Sequence, residues 1–67
     1  MKKGTIKWFN KKKGFGFISL GNGQEDVFVH HSNIKSSDLE GLNEGNIVEF
    51  KIIETTRGPQ AEEVVKI

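Results

Sequence analysis

The feature that most constrains this chain is how often it is broken. Clusters of turn-forming residues fall at Asn10 to Gly14, Gly21-Asn22-Gly23, Gly41 to Gly45 and Arg57-Gly58-Pro59, and they leave no run long enough for a helix of ordinary length. The segments between them, Lys3–Asn10, Phe15–Leu20, Asp26–His30, Ile47–Glu54 and Gln60–Lys66, are of strand length and rich in Ile, Val, Phe, Thr and Trp,. Five short strands in 67 residues predict a single all-β domain, a small barrel or sandwich. Gly21-Asn22-Gly23 tolerates the positive φ of a tight hairpin, so the second and third strands are expected to be antiparallel neighbours. Ser32 to Gly45 sustains no apolar set at helical spacing and predicts a helical turn near Ser32 followed by a long surface loop.

Alternation within the strands assigns their faces. In the fourth strand Val48, Phe50 and Ile52 share one side and Glu49 and Lys51 the other, which fixes the buried side,. In the third, Val27 and Val29 share a face while Phe28 lies with Asp26 and His30. Burying Phe28 would drag an acid and an imidazole inward, at a cost far above that of an exposed phenyl ring, so the valines go in and Phe28 goes out. The second strand divides in the same way: Ile18 and Leu20 face in, and Phe15 and Phe17 face out. The first strand does not alternate cleanly. Ile6 faces in, and either Trp8 shares that side or a bulge re-aims it outward. Three outward rings and one imidazole on paired strands form an aromatic patch, which marks an interaction surface of some kind.

Charge narrows the partner. The net charge of +1 hides a polarised chain, with six lysines and no acid in residues 1 to 13, and seven acids against three basic residues in residues 38 to 67. Lys7, Lys11, Lys12 and Lys13 lie beside the rings; they suit a polyanion and would be unwelcome in an apolar seam between proteins. The competing reading is a protein–protein module or homodimer using the same aromatic face. Absence of cysteine removes disulfides and thiolate metal sites and agrees with a reducing compartment, the cytosol,. No signal peptide or run of about 18 apolar residues is present, so no membrane partner is expected. Ser32, His30, His31, Asp26 and Asp38 do not assemble a nucleophile, base and orienting acid, because adjacent histidines in a strand point to opposite faces. Two adjacent histidines also fall short of a metal set. No catalysis, cofactor, metal or small-molecule substrate is expected.

Unpaired bases expose π-faces, and stacking one on an aromatic side chain is worth about 1–3 kcal/mol with little regard to sequence. In a duplex those faces are already covered, so a flat aromatic surface favours single strands. The segments GTIKWFN, KGFGFI and DVFVHHS, in this order and spacing, with RGPQA near the end, closely resemble the cold-shock domain of the bacterial cold-shock proteins. KGFGFI and VFVH look like that family's two ribonucleoprotein motifs. The resemblance implies a five-stranded antiparallel OB-fold barrel acting as a monomeric chaperone of single-stranded RNA and DNA, with Trp8 on the binding face. It implies stacking by Trp8, Phe15, Phe17, Phe28 and His30, and polar contacts from Lys7, Asn10, Lys13, Asp26, Arg57 and Gln60. Two positions depart from the family pattern: His31 and Leu39 stand where aromatics such as Phe are common, so the platform is expected to be weaker at that end.

Overall fold

The computed structural model describes every residue except Asn22, Gln24 and Glu25. Five strands, β1 (Lys2–Asn10), β2 (Phe15–Ser19), β3 (Val27–His30), β4 (Ile47–Thr55) and β5 (Gly58–Lys66), close into a barrel in the order β1-β2-β3-β5-β4. This is the five-stranded Greek-key barrel of the OB type. β2 and β3 are antiparallel neighbours, as expected, with Phe15 opposite His30 and Phe17 opposite Phe28. Of the turn between them, Gly21 and Gly23 take positive φ of 77° and 73°, while Asn22 lies outside the described residues. Barrel closure falls on one parallel pair, Phe28 opposite Gln60 in β5.

β1 serves two neighbours. Its first half pairs with β4, from Lys2 opposite Phe50 to Thr5 opposite Ile47, and its second half pairs with β2. At the changeover the Ile6 N–H donates to the Asn46 carbonyl at 2.8 Å and the Ile6 carbonyl accepts from Gly45 N–H at 2.8 Å. The register with β2 then slips between Ile6 and Trp8. Lys7 is the extra residue of this bulge, which resolves the irregular alternation of the first strand: Ile6 is buried and Trp8, two residues on, is 40% exposed,.

The core confirms the assignment of faces. Ile6, Ile18, Val27, Val29, Val48, Phe50, Ala61 and Val64 are buried, with Phe9, Leu20, Leu39 and Ile52 packed against them. Phe15, Phe17, Phe28 and His30 are half-buried on the other side. Between β3 and β4 the expected helical turn is a 3-10 turn at His31–Asn33, and a second, four-residue turn, α1, covers Ser36–Leu39. This connection does more than a surface loop would. Ile34 and Leu42 are buried core residues, Ile34 bridges to Val64, and the Asp38 carboxylate accepts from Lys66 N–H at 3.0 Å. The segment caps one end of the barrel, and its two aliphatics are too far apart to announce themselves as a helical stripe.

A second bulge lies in β5, where Glu49 opposes Val65 but Lys51 opposes Glu62. Glu63 takes φ 54° there, and its carboxylate meets the Lys51 ammonium at 2.8 Å. That hydrogen bond, and then the charge behind it, hold Lys51 above its ordinary value of 10.5.

Gly16 shows how tightly β1 and β2 are apposed. A Cβ there would strike the Trp8 carbonyl and lie 2.7 Å from Phe9 Cδ2 and 2.8 Å from Phe9 Cα. Much of what it meets is backbone, so Gly16→Ala is expected to lower the unfolding free energy in urea by about 1–3 kcal/mol. The face assignment has its own test in the same measurement. Ile18→Ala should cost about 2–5 kcal/mol, whereas Phe17→Ala should cost about 1 kcal/mol or less; equal losses would mean that Phe17 supports the core.

Candidate functional site

The outer faces of β1, β2 and β3 carry a ring of four aromatic side chains. Trp8 lies 5.8 Å from Phe15 and 5.5 Å from Phe17 between ring centroids. Phe28 closes the cycle at 6.0 Å from Phe15 and 5.7 Å from Phe17. The contacts are edge-on or tilted, at 69°, 54°, 30° and 73°. Such edge contacts are favourable in themselves and leave ring faces for a further planar group. The register builds the cycle directly, because Trp8 opposes Phe17 and Phe17 opposes Phe28.

Two clefts flank it. One, of about 330 Å³, runs between Phe17 and Phe28 and the β4–β5 turn, and includes Asp26, Arg57, Pro59 and Gln60. At its edge the Lys7 ammonium meets the Asp26 carboxylate at 2.8 Å across the strands. Both side chains are substantially exposed, so the pair is worth about 0–1 kcal/mol to stability. Its effect is local: the acid beside the rings has a positive partner.

The other cleft, of about 310 Å³, lies between the β1–β2 turn and α1 and is lined by Lys11, Lys12, Lys13, Gly14, His31, Leu39 and Glu40. The turn is braced by Asn10, whose Oδ1 accepts from Lys13 N–H at 2.8 Å and whose carbonyl accepts from Gly14 N–H at 2.7 Å. Asn10 thus shapes the lysine turn, with its side-chain oxygen committed to the backbone. The Lys11 ammonium donates to the Glu40 carbonyl at 2.6 Å, tying the two walls together.

The two histidines correct the sequence expectation. Their rings do not diverge onto opposite faces; they lie 4.4 Å apart at 35°. The reason is that β3 ends at His30 and the chain turns at once into the 3-10 turn, with His30 as its N-cap. His30 Nδ1 accepts from Ser32 N–H at 3.3 Å and sits 2.8 Å from Ser32 Oγ. The histidine–serine contact is therefore a cap. Among the described residues no cluster of three His, Asp or Glu side chains could hold a metal ion. The His31 ring rests against Gly14, whose φ is 81° and whose missing Cβ would collide with Cδ2 of that ring; His31 N–H also donates to the Gly14 carbonyl at 2.8 Å.

Of the predicted site residues, Trp8, Phe15, Phe17 and Phe28 form the cycle, Asp26, Arg57 and Gln60 share the first cleft, Lys13, His31 and Leu39 the second, Asn10 and His30 brace the turn and cap, and Lys7 reaches the first cleft only through Asp26. Three contributors were not legible in advance. Thr55 Oγ1 donates to the Gly58 carbonyl at 2.8 Å and accepts from Arg57 N–H at 3.1 Å, which fixes the turn that presents Arg57. Thr55, Gly58 and Pro59 line the first cleft. Their signal in the sequence is only the turn composition TTRGP.

The family described as 'Cold-shock' DNA-binding domain matches residues 2–67. Cold shock protein CspA of Staphylococcus aureus (strain USA300) is 55% identical over 67 residues, the whole of both chains. CspA of Staphylococcus haemolyticus (strain JCSC1435) is equally similar over the same length. Among solved structures, drosophila Unr CSD456 superposes with a TM-score of 0.79 at 25% identity over 98% of this chain, which spans 26% of that longer one. No helix among the described residues is long and apolar enough to cross a membrane. Barrel, ring cycle and full-length match agree, and the chain belongs to the cold-shock domain family, a nucleic-acid-binding family without enzymatic activity.

Proposed function

We propose that residues 1–67 form one cold-shock domain that binds single-stranded RNA and DNA as a monomer in the cytoplasm and acts there as a nucleic-acid chaperone. The observation that carries this reading is the four-ring cycle of Trp8, Phe15, Phe17 and Phe28, held on an outer barrel face with a lysine turn beside it. Bases stack on the ring faces, with His30 and His31 extending the surface. Lys13 neutralises a phosphate, and Lys7, paired with Asp26, makes a polar contact beside the rings. The edges of bases that enter the first cleft meet Asp26, Arg57 and Gln60, while Asn10 acts by holding the lysine turn in shape.

The consequence for a transcript follows from mass action. A surface that takes only unpaired bases withdraws them from the pairing equilibrium, so a hairpin opens without energy input. Low temperature stabilises hairpins, and the activity then favours read-through of terminators and access to translation start sites.

Trp8 is both the sole tryptophan and a member of the cycle, so its emission reports directly on occupancy. Titration with oligothymidine should quench it, and the affinity should fall with salt at a log–log slope of about −0.7 per phosphate neutralised. A flat salt dependence would favour an apolar protein contact, and no response at low salt would end the nucleic-acid reading. Lys13→Gln should make the slope shallower by about 0.7.

The far end of the platform gives a separate expectation. Leu39 packs partly against the core and shares its cleft with His31, so it offers a base an apolar contact without a π-face. Leu39→Phe should strengthen oligothymidine binding by about 1 kcal/mol, near the lower limit for a stacked base, and unchanged or weaker binding would refute the view that this end is under-built.

A further inference from the structure

We propose that the binding surface continues beyond the cleft at Arg57 and Gln60 onto β4, where Ile53 contacts a further base of a longer single strand. This rests on the single-strand reading above and extends it to a residue outside the ring cycle and outside the lining of either cleft.

The register carries the argument. Trp8 opposes Phe17, Phe17 opposes Phe28, Phe28 opposes Gln60 and Gln60 opposes Ile53. These are directly paired positions, so one row of outward side chains crosses all five strands, β1-β2-β3-β5-β4. Four inter-strand steps make the row about 19 Å long along the barrel surface. Alternation supports the outward direction of its last members, since Ala61, next to Gln60, is fully buried while Ile53 is 36% exposed.

Exposure singles out Ile53. The large hydrophobic side chains exposed among the described residues are Met1, Trp8, Ile47, Ile53 and Ile67. Ile47 and Ile67 lie together at the other end of β4, joined by a hydrogen bond from Ile67 N–H to the Ile47 carbonyl at 3.0 Å. Met1 precedes the Lys2–Phe50 pair. The remaining two, Trp8 and Ile53, are the two ends of the row. The pairing of β1 with β4 stops at Lys2 opposite Phe50, so β1 does not cover the stretch of β4 that carries Ile53. On the same face Thr55 already lines the cleft occupied by Phe28 and Gln60, which makes the surface continuous.

Charge decides which part of the strand meets Ile53. Lys51, the outward neighbour on β4, is matched by Glu63 at 2.8 Å and stands opposite Glu62. This end therefore has no surplus positive charge for a phosphate. With no unmatched cation beside it, the aliphatic side chain of Ile53 suits the apolar face of a base and not a phosphate. Contact with Ile53 should thus add affinity without adding to the salt dependence.

The test compares wild type, Ile53→Thr and Ile53→Phe by Trp8 fluorescence with oligothymidines of about three and about seven nucleotides, both within what one such fold spans or less. Ile53→Thr keeps the β-branched shape of the exposed site and removes its apolar end. It should bind the longer strand about three- to fivefold more weakly, bind the shorter one as wild type does, and show an unchanged salt slope. Ile53→Phe should bind the longer strand more tightly than wild type. Equal affinities of all three proteins for the longer strand, with wild-type quenching intact, would overturn the role of Ile53 and leave the ring platform standing. Absence of wild-type quenching would overturn both. Sedimentation at the same concentrations should give one unchanged species, and a shift confined to the Ile53 variants would assign the residue to contact between copies, overturning the proposal.

Discussion

The single residue of slippage between Ile6 and Trp8 is the constraint on which the site depends. β1 has to bury Ile6 against the core while contributing its tryptophan to the opposite surface, and strict alternation forbids both at a spacing of two. Inserting Lys7 as a bulge satisfies both demands. The same point in the chain is where β1 exchanges β4 for β2, held by the two hydrogen bonds of Ile6 to Gly45 and Asn46. Barrel closure and site construction are therefore one event. A β1 that ran straight would keep Trp8 in the core and leave the rings of β2 and β3 without their fourth member.

Most of this architecture was legible because inward and outward residues differ so sharply. Val27 and Val29 against Phe28 and His30, or Ile18 against Phe17, leave one low-cost assignment once an acid shares the aromatic side, and the buried set agrees. The first strand was legible only as a choice between two conformations, since a bulge leaves no mark of its own in KWFN. The placement of His30 and His31 was not legible for a related reason: the relation of adjacent side chains depends on where the strand stops, and composition does not fix that boundary. Ile34 and Leu42 carry no signal in the sequence because two isolated aliphatics in a polar segment have no period, and only the closed barrel supplies the opening they fill.

The glycines of KGFGF have two different purposes, and neither is flexibility. Gly16 lies under the Trp8 carbonyl and Phe9, so β1 and β2 approach closely enough to set Trp8 against Phe17. Gly14 turns the chain with positive φ and offers a bare backbone for the His31 ring,. The aromatic residues of this motif are available to a ligand because the glycines between them draw the supporting strands together. Size matters here too: a domain of this length hides only about 60% of the surface its unfolded chain exposes. Rings that stabilise one another edge-on recover part of that deficit while keeping their faces open.

The two ends of the ring cycle then differ in kind. On the lysine side three lysines face one acid, Glu40, and His31 and Leu39 supply the ring and the aliphatic surface, so positive charge outweighs stacking surface. On the Arg57 side Lys7 and Asp26 offset each other, and the cleft carries the Arg57 guanidinium with Gln60 among its hydrogen-bonding groups. A single strand lying across the cycle would therefore be anchored by its backbone at one end and examined by its base edges at the other. Base-edge discrimination needs donors and acceptors in fixed positions, and the Thr55 hydrogen bonds that brace the β4–β5 turn hold them there.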